Sequence, residues 1–249
     1  MRKNQHEKNI QVKENSVAIV GWHDGGAGRI ETWLEKTHDY HIACFINPSD
    51  TPLDIDPNQI KRDVSKFSYP TKNEFKKRVL INKLKWADYL IEIGIKKVLV
   101  TTDDPKQRYK EICYAKKNNL KLINAIHPTA YIMKDVMMME NIILHERAFI
   151  GYRTELYDGV IIIDDAHLGH HNVIKECSQI VCGAMLGGNV TIGRFTRVYL
   201  GAIIKNRIQV GENAVIGAGS VVLYNVNDGA LVAQKPGKII VDPINETMF

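Results

Sequence analysis

The chain has 249 residues, enough for one large domain or two modest ones, with 45% hydrophobic and 24% charged residues, as in ordinary globular proteins. Its formal net charge of +5 is mild; it suits an anionic small molecule, and no dense Lys/Arg stripe gives the footprint that nucleic-acid binding needs. No stretch approaches the roughly 18 consecutive apolar residues of a membrane span, and Cys44, Cys113, Cys177 and Cys182 lack CxxC spacing, which favours reduced cytoplasmic thiols over disulfides or zinc.

Residues 1–15, MRKNQHEKNIQVKEN, are polar throughout and lack the apolar core of a signal peptide, so a flexible tail is expected there. Residues 16–122 alternate strand and helix patterns. SVAIV (16–20), HIACFIN (41–47) and KVLVTT (97–102) read as strands, and IETWLEK and DPKQRYKEICYAKKN as helices. PTKNEFKKRVLINKLKWADYLIEIG (70–94) reads as a long helix or helix pair. This alternation predicts a small Rossmann-like α/β domain with a parallel sheet. Gly25, Gly26 and Gly28 lie between strand and helix, as in a phosphate-cradling turn. Their spacing is not GxGxxG, and Asp24 beside them would repel an anion. A tight structural turn, or a pocket for one nucleotide-linked sugar, is the better reading.

Residues 123–226 repeat with a period of six. From Ile126 through Leu144, Ile162, Ile180 and Val198 to Val222, every sixth residue is aliphatic or Met, without a slip. Small or β-branched residues dominate two positions earlier (Ala148, Thr154, Ala166, Ser178, Ala184, Thr196), and Gly is frequent one position later (Gly151, Gly169, Gly187, Gly193). Six is a multiple of the strand period of two and not of the helical 3.6. Short strands separated by turns would each point one large aliphatic inward, with Gly relieving turns that need positive φ. Three sides close an 18-residue coil, and coils stack at about 4.8 Å. Residues 227–249 are expected to be a C-terminal tail.

This pattern resembles the hexapeptide-repeat acyltransferases, whose β-helix is left-handed and assembles into trimers. A glycine-rich head, NAIHPTAYI (124–132), the coils and AQKPGKII (233–240) together resemble one subfamily. Its members are the bacterial sugar acetyltransferases that act on sialic acid or on UDP-linked 4-amino sugars such as the bacillosamine precursor. The resemblance covers nearly all of residues 16–240. It implies acetyl-CoA as co-substrate, a nucleotide-linked sugar as acceptor, a homotrimer and no metal.

The resemblance also implies a site. A histidine in a phrase like E-H-[DE]-C-x-I-G is the subfamily's general base, and GHHNVIK (169–175) places His170 on it. An imidazole near pKa 6.5 suits proton removal from an attacking amine or hydroxyl at neutral pH. The oxyanion donor, a glycine N–H one coil on, falls on Gly188. His171 replaces the acid that orients the base, and Gln179 replaces a histidine that helps hold acetyl-CoA. Leu200, Gly201, Ala218 and Gly219 match the pantetheine track, and Lys205, Asn206 and Arg207 are candidates for the phosphates of coenzyme A. In the head, Gly26, Ala27, Gly28, Asn47 and Arg108 match sugar-nucleotide positions. Asn47 and Pro48 replace an acidic pair. Asp164, Asp165 or Glu176 are candidate carboxylate partners for the base.

Bland readings stand beside these. His127 and His145 lie 18 apart and are expected to form a structural ladder; His167 is expected to be an exposed side residue. O-acetylation of a sialic-acid-like sugar is the alternative reaction, and a non-catalytic sugar-binding trimer the alternative role. A zinc hydratase on the same prism needs histidines about two coils before His170 or His171, where Lys134 and Asp135 stand instead.

Overall fold

The computed structural model describes residues 10–51, 71–233 and 238–241. It divides into two compact units, Met1–Ile123 and Asn124–Phe249.

The first unit is an α/β sheet of strands β1 (Ser16–Val20), β2 (His41–Asn47), β3 (Glu74–Phe75), β4 (Arg78–Asn82), β5 (Lys97–Val100) and β6 (Lys121–Leu122), with helices α1 (Arg29–Thr37), α2 (Trp86–Glu92) and α3 (Pro105–Lys117). The strand order is β3-β4-β2-β1-β5-β6. Central β1 is buried along its whole length, as a strand covered on both faces must be. Helix α1 buries Ile30, Trp33 and Leu34, an i, i+3, i+4 stripe. Helix α3 starts where Asp104 accepts the Gln107 N–H at 2.7 Å, with Pro105 in the first turn.

Three expectations for this unit are corrected. The segment read as a long helix holds β3, β4 and only the two-turn α2; its first residue, Pro70, lies outside the described residues. Strand β4 pairs parallel with β2, while β3 folds back antiparallel on β4, so the sheet is mixed. Their hairpin turns on Lys76 and Lys77, both left-handed at φ 50° and 59°. Such a turn normally announces itself by Asn-Gly or Asp-Gly, and Lys-Lys gives no such signal. The N-terminal tail is likewise shorter than expected. Asn15 accepts from Lys97 Nζ at 2.6 Å and donates to Asp39 at 2.7 Å, while its carbonyl accepts the His41 N–H; residues 1–9 lie outside the described residues.

The second unit is a three-sided parallel β-helix. Two-residue strands run from β7 (Ala125–Ile126) to β23 (Val221–Val222), one every six residues. Partners lie eighteen apart: Ile143 opposite Ile161, Phe149 opposite His167, Glu155 opposite Val173. The faces that begin at Ala125, Tyr131 and Met137 are called first, second and third below. The second residue of each strand points inward, and from Leu144 to Val222 these side chains are at most 3% exposed. Burying such a side chain contributes about 1.5–3 kcal/mol, and only stacked coils can realise it. The residues two positions earlier are buried too. Thr154, Asn172, Ser178 and Thr196 donate to turn carbonyls and Ser220 to the carbonyl of Val232, while Asn172 and Thr196 also accept the N–H groups of Val190 and Ala214.

The role expected for the glycines is corrected. From Ile132 to Ile216, positive φ falls three positions after each inward residue, mostly on residues other than glycine, among them Asp135, Asn141, Arg147, Arg153, Asp165, His171, Cys177 and Asn189. The left-handed residue bonds back to the coil behind, as His171 N–H does to Tyr152 O at 2.7 Å. The glycines one position after the aliphatic answer to close approach. A Cβ on Gly151 would sit 2.4 Å from Gly169 O, and one on Gly169 would sit 2.8 Å from Gly187 O.

The expected C-terminal tail also takes part in the column. Strand β24 (Leu231–Ala233) adds to the first face opposite Val215–Ile216, and β25 (Lys238–Val241) pairs antiparallel with β24. The last coil is two residues short, since Val215 meets Leu231 and Val210 meets Val226. Residues 234–237 and 242–249 of the expected tail lie outside the described residues.

Thiol labelling checks the burial pattern in both units. Cys113 is exposed, whereas Cys177 is buried, and burial pushes the Cys44 thiol up to about 12. In the native chain an aromatic disulfide reagent should modify Cys113 promptly and leave Cys44 and Cys177 intact until denaturant is added. Fast native labelling of Cys44 would contradict this fold.

Candidate active site

Each turn of the β-helix uses its amides in a fixed way. The left-handed residue donates backwards, and the amide just before it points outward, where an outside acceptor can take it. Glu140 and Glu212 give that amide to carboxylates of Asp158 and Asp228, one coil on. His170 and Gly188 occupy this same outward position on successive turns after the second face, in a column with Tyr152 before them and Asn206 after.

The eighteen-residue register therefore stacks the His170 imidazole on Gly188. A Cβ at Gly188 would lie 2.5 Å from both Cε1 and Nε2 of His170, so only glycine leaves room for the ring. His170 and His171 are exposed and Gly188 is buried. His170 Nδ1 and His171 Nδ1 lie 3.0 Å apart with the rings nearly perpendicular (87°). One Nδ1 must carry a hydrogen and the other accept it. If His170 is the donor, its Nε2 lone pair faces outward, the form a base requires. His171 stands in the left-handed region at φ 57°, which swings its ring across to His170, and it meets the Tyr152 ring edge to face at 5.6 Å.

Two further members of this column take roles that the sequence did not show: Asn206, expected at the phosphates of coenzyme A, and Tyr152, not singled out at all. The Gly188 N–H, expected from sequence as the oxyanion donor, is taken by Asn206 Oδ1 at 3.2 Å. Tyr152 supports His171. Both lie one coil from a residue already singled out, so the same step of eighteen would have found them.

Other predicted residues stand elsewhere. Leu200 and Ala218 are exposed on the turns after the first face, followed by Gly201 and Gly219 at positive φ (61° and 65°). Gln179 is 8% exposed on the first face, opposite Ile161 and Arg197. Within one chain, the His170 column and the Leu200 column occupy different edges, with the second face between them. Of the carboxylates considered for the base, Asp165 is held by Arg147 at 2.6 and 2.7 Å, which lowers its pKa, and Glu176 faces Arg194 at 3.5 Å.

In the head, the candidates gather at the C-terminal ends of β1, β2 and β5, where open α/β sheets bind ligands. Their polar atoms serve the fold. Gly26 and Gly28 give their N–H groups to His23 O (3.1 and 3.3 Å), and Ala27 is buried. Asn47 ties β2 to β4 through Asn82 Oδ1 (2.8 Å) and also donates to Thr51 O (3.1 Å). Arg108 is fully buried and donates to the carbonyls of Thr102 and Asp103 (2.7 and 3.0 Å). A cavity of about 530 Å³ lined by His41, Lys72, Lys77 and Arg78 lies at the opposite, N-terminal ends of β2 and β4.

No protein-family model matches the chain, and no curated protein matches its sequence. Solved structures do match. The chain is similar to a histidine-to-alanine mutant of GDP-perosamine N-acetyl transferase from Caulobacter crescentus in complex with CoA and GDP-perosamine. The TM-score is 0.77 at 21% identity, over 93% of this chain and all of that one. It is also similar to the acetyltransferase domain of PglB from Neisseria gonorrhoeae FA1090 in complex with acetyl coenzyme A. There the TM-score is 0.74 at 22% identity, over 92% of this chain and all of that one. These likenesses establish the fold as an α/β head followed by a left-handed parallel β-helix.

Gly188→Ala isolates the stacking. The added methyl must displace the His170 ring, so the His170 imidazole resonances should shift while the melting temperature changes by only a few degrees, because the ring is on the surface. Unchanged imidazole shifts would contradict the contact.

Proposed function

We propose that the chain transfers an acetyl group from acetyl-CoA to the amine of a nucleotide-linked sugar, with His170 as general base. The observation that carries this reading is the His170 imidazole, stacked on a bare glycine at an open edge of the β-helix and held at Nδ1 by His171. Support comes from the solved structures of this fold, one a complex with CoA and a GDP-linked sugar and one with acetyl coenzyme A. The described residues contain no helix long and apolar enough to cross a membrane.

In this mechanism the sugar amine attacks the thioester carbonyl. The new C–N bond forms as the nitrogen gives its proton to His170 Nε2, and the C–S bond breaks. The CoA thiolate leaves and takes up the proton, giving the N-acetyl sugar and free thiol. The Gly188 N–H, once Asn206 has rotated away, donates to the oxyanion. His171 accepts the Nδ1 hydrogen of His170 and so fixes its tautomer, the task that an acid performs in the resembling subfamily. A neutral imidazole does this without adding a negative charge beside the acceptor.

The working unit of this reading is a homotrimer. The outward residues of the second face form an apolar column, with Tyr131, Met185 and Ile203 61%, 50% and 43% exposed. Within it Tyr131, Phe149 and His167 stack at centroid distances of 5.5 and 4.4 Å. Such a contiguous column marks an interaction surface. Packing three second faces around an axis sets the His170 edge of one copy against the Leu200 edge of the next. That brings together the base and the proposed pantetheine track, which one chain keeps on separate edges.

A thiol-release assay with acetyl-CoA and a panel of GDP-, UDP- and dTDP-linked amino sugars tests the activity, with hydroxyl sugars as controls. His170→Ala should lower kcat by roughly 10²–10⁴ while acetyl-CoA still raises the melting temperature. His171→Ala should lower kcat less, with KM retained, and His171→Glu should restore much of it. Full activity in His170→Ala would remove that residue from the role.

A further inference from the structure

The edge after the first face, whose later turns carry the proposed pantetheine track, holds a second cluster on its early turns. The column of eighteen places His127 over His145 and, one residue on, Glu146 over Asp164 and Cys182. The sequence suggested only a histidine ladder here. The structure turns the acids into it. Glu146 Oε2 lies 3.6 Å from His145 Nδ1, and Glu146 Oε1 lies 4.0 Å from His127 Nε2. Donor atoms of His145, Glu146 and Asp164 all fall within 4.8 Å of one another. Cys182 Sγ follows, 3.9 Å from Asp164 Oδ2.

We propose that this edge binds one divalent transition-metal ion of the zinc class, through His145, Glu146 and Asp164, with a water molecule to complete the tetrahedron. Two donors on one tetrahedral zinc are roughly 3.4 Å apart, given metal–ligand distances near 2.0–2.2 Å. The spacings among His145, Glu146 and Asp164, all within 4.8 Å, need shifts of about 1 Å or less to close on an ion, with imidazole and carboxylate the donor types that zinc takes. His145 is 3% exposed, so its ring is held by packing before any ion arrives.

His127 stands outside the ligand set. Its Nδ1 accepts the Thr129 N–H at 3.3 Å and lies 2.8 Å from Thr129 Oγ1, which puts the ring hydrogen on Nε2, facing Glu146. It orients the Glu146 carboxylate from the coil before. Arg147, the neighbour of Glu146, sends its guanidinium to Asp165, and its charge also acts on Asp164 and Glu146. An ion here cross-links two successive coils near the start of the column and staples the β-helix.

The test uses tag-free full-length chain stripped with a chelator and titrated with Co²⁺, then Zn²⁺, with Mg²⁺ as control. One equivalent of Co²⁺ should give the visible absorption of a tetrahedral site, Zn²⁺ should abolish it, and Zn²⁺ should raise the melting temperature. Glu146→Gln and Asp164→Asn keep shape and should weaken binding at least ~10-fold. His145→Ala risks misfolding, so the isosteric variants decide. Absence of a Co²⁺ band and of a Zn²⁺-dependent shift would leave an ion-pair ladder only and overturn the proposal. So would binding that both isosteric variants retain in full. Neither result touches the thiol-release assay.

Discussion

Coil-to-coil backbone hydrogen bonding in strict eighteen-residue register is the constraint on which the rest of the second unit depends. An N–H of one coil meets a carbonyl of the next, as Phe149 does Ala166 at 2.9 Å and Gly169 does Leu186 at 2.8 Å. No coil buries enough apolar surface to fold alone, so the register must hold along the whole stack. Once it holds, side-chain identity is passed down columns. Inward columns must be aliphatic or small, and corner columns must shed their Cβ where backbones approach. The remaining outward columns are free to carry chemistry. The His170–Gly188 stack and the His127–His145–Glu146–Asp164 cluster are two uses of that freedom, on two different edges.

The period of six made the column legible, and through it the pairing of His170 with Gly188. The glycine role was misread because sequence shows a small residue without saying whether torsion or contact demands it. Here Gly151 and Gly169 are required by the neighbouring coil, while the left-handed torsion falls on Asp, Asn, Arg and His. Strands β3 and β4 were hidden for a related reason. RVLIN carries strand character, but a Lys-Lys turn and the amphipathic WADYLIE behind it gave the window a helical look. The acids at 146 and 164 were unreadable as a cluster, since outward turn positions are polar all along the prism. Only side-chain direction separates a ligand set from solvated charge.

The head shows a different balance. Its candidate sugar-binding residues sit at the strand ends where such ligands bind, yet their polar atoms are engaged within the fold. Arg108 is the clearest case, a buried guanidinium that holds the loop after β5 through two carbonyls. It shapes that loop from beneath. Beside His170, the left-handed backbone of His171 and the Tyr152 ring aim the His171 Nδ1 at that of His170.

The register itself is open to direct measurement. Thr191 and Gln209 lie opposite each other on the third face, close enough for a disulfide between cysteines placed there. Thr191→Cys/Gln209→Cys should oxidise within one chain, and peptide mapping should recover residues 191 and 209 in a single cross-linked pair. Matched pairs six residues out of step, 191 with 203 or 191 with 215, should stay reduced. Ready closure of either mismatched pair, with 191 and 209 unlinked, would contradict the column and the site built on it.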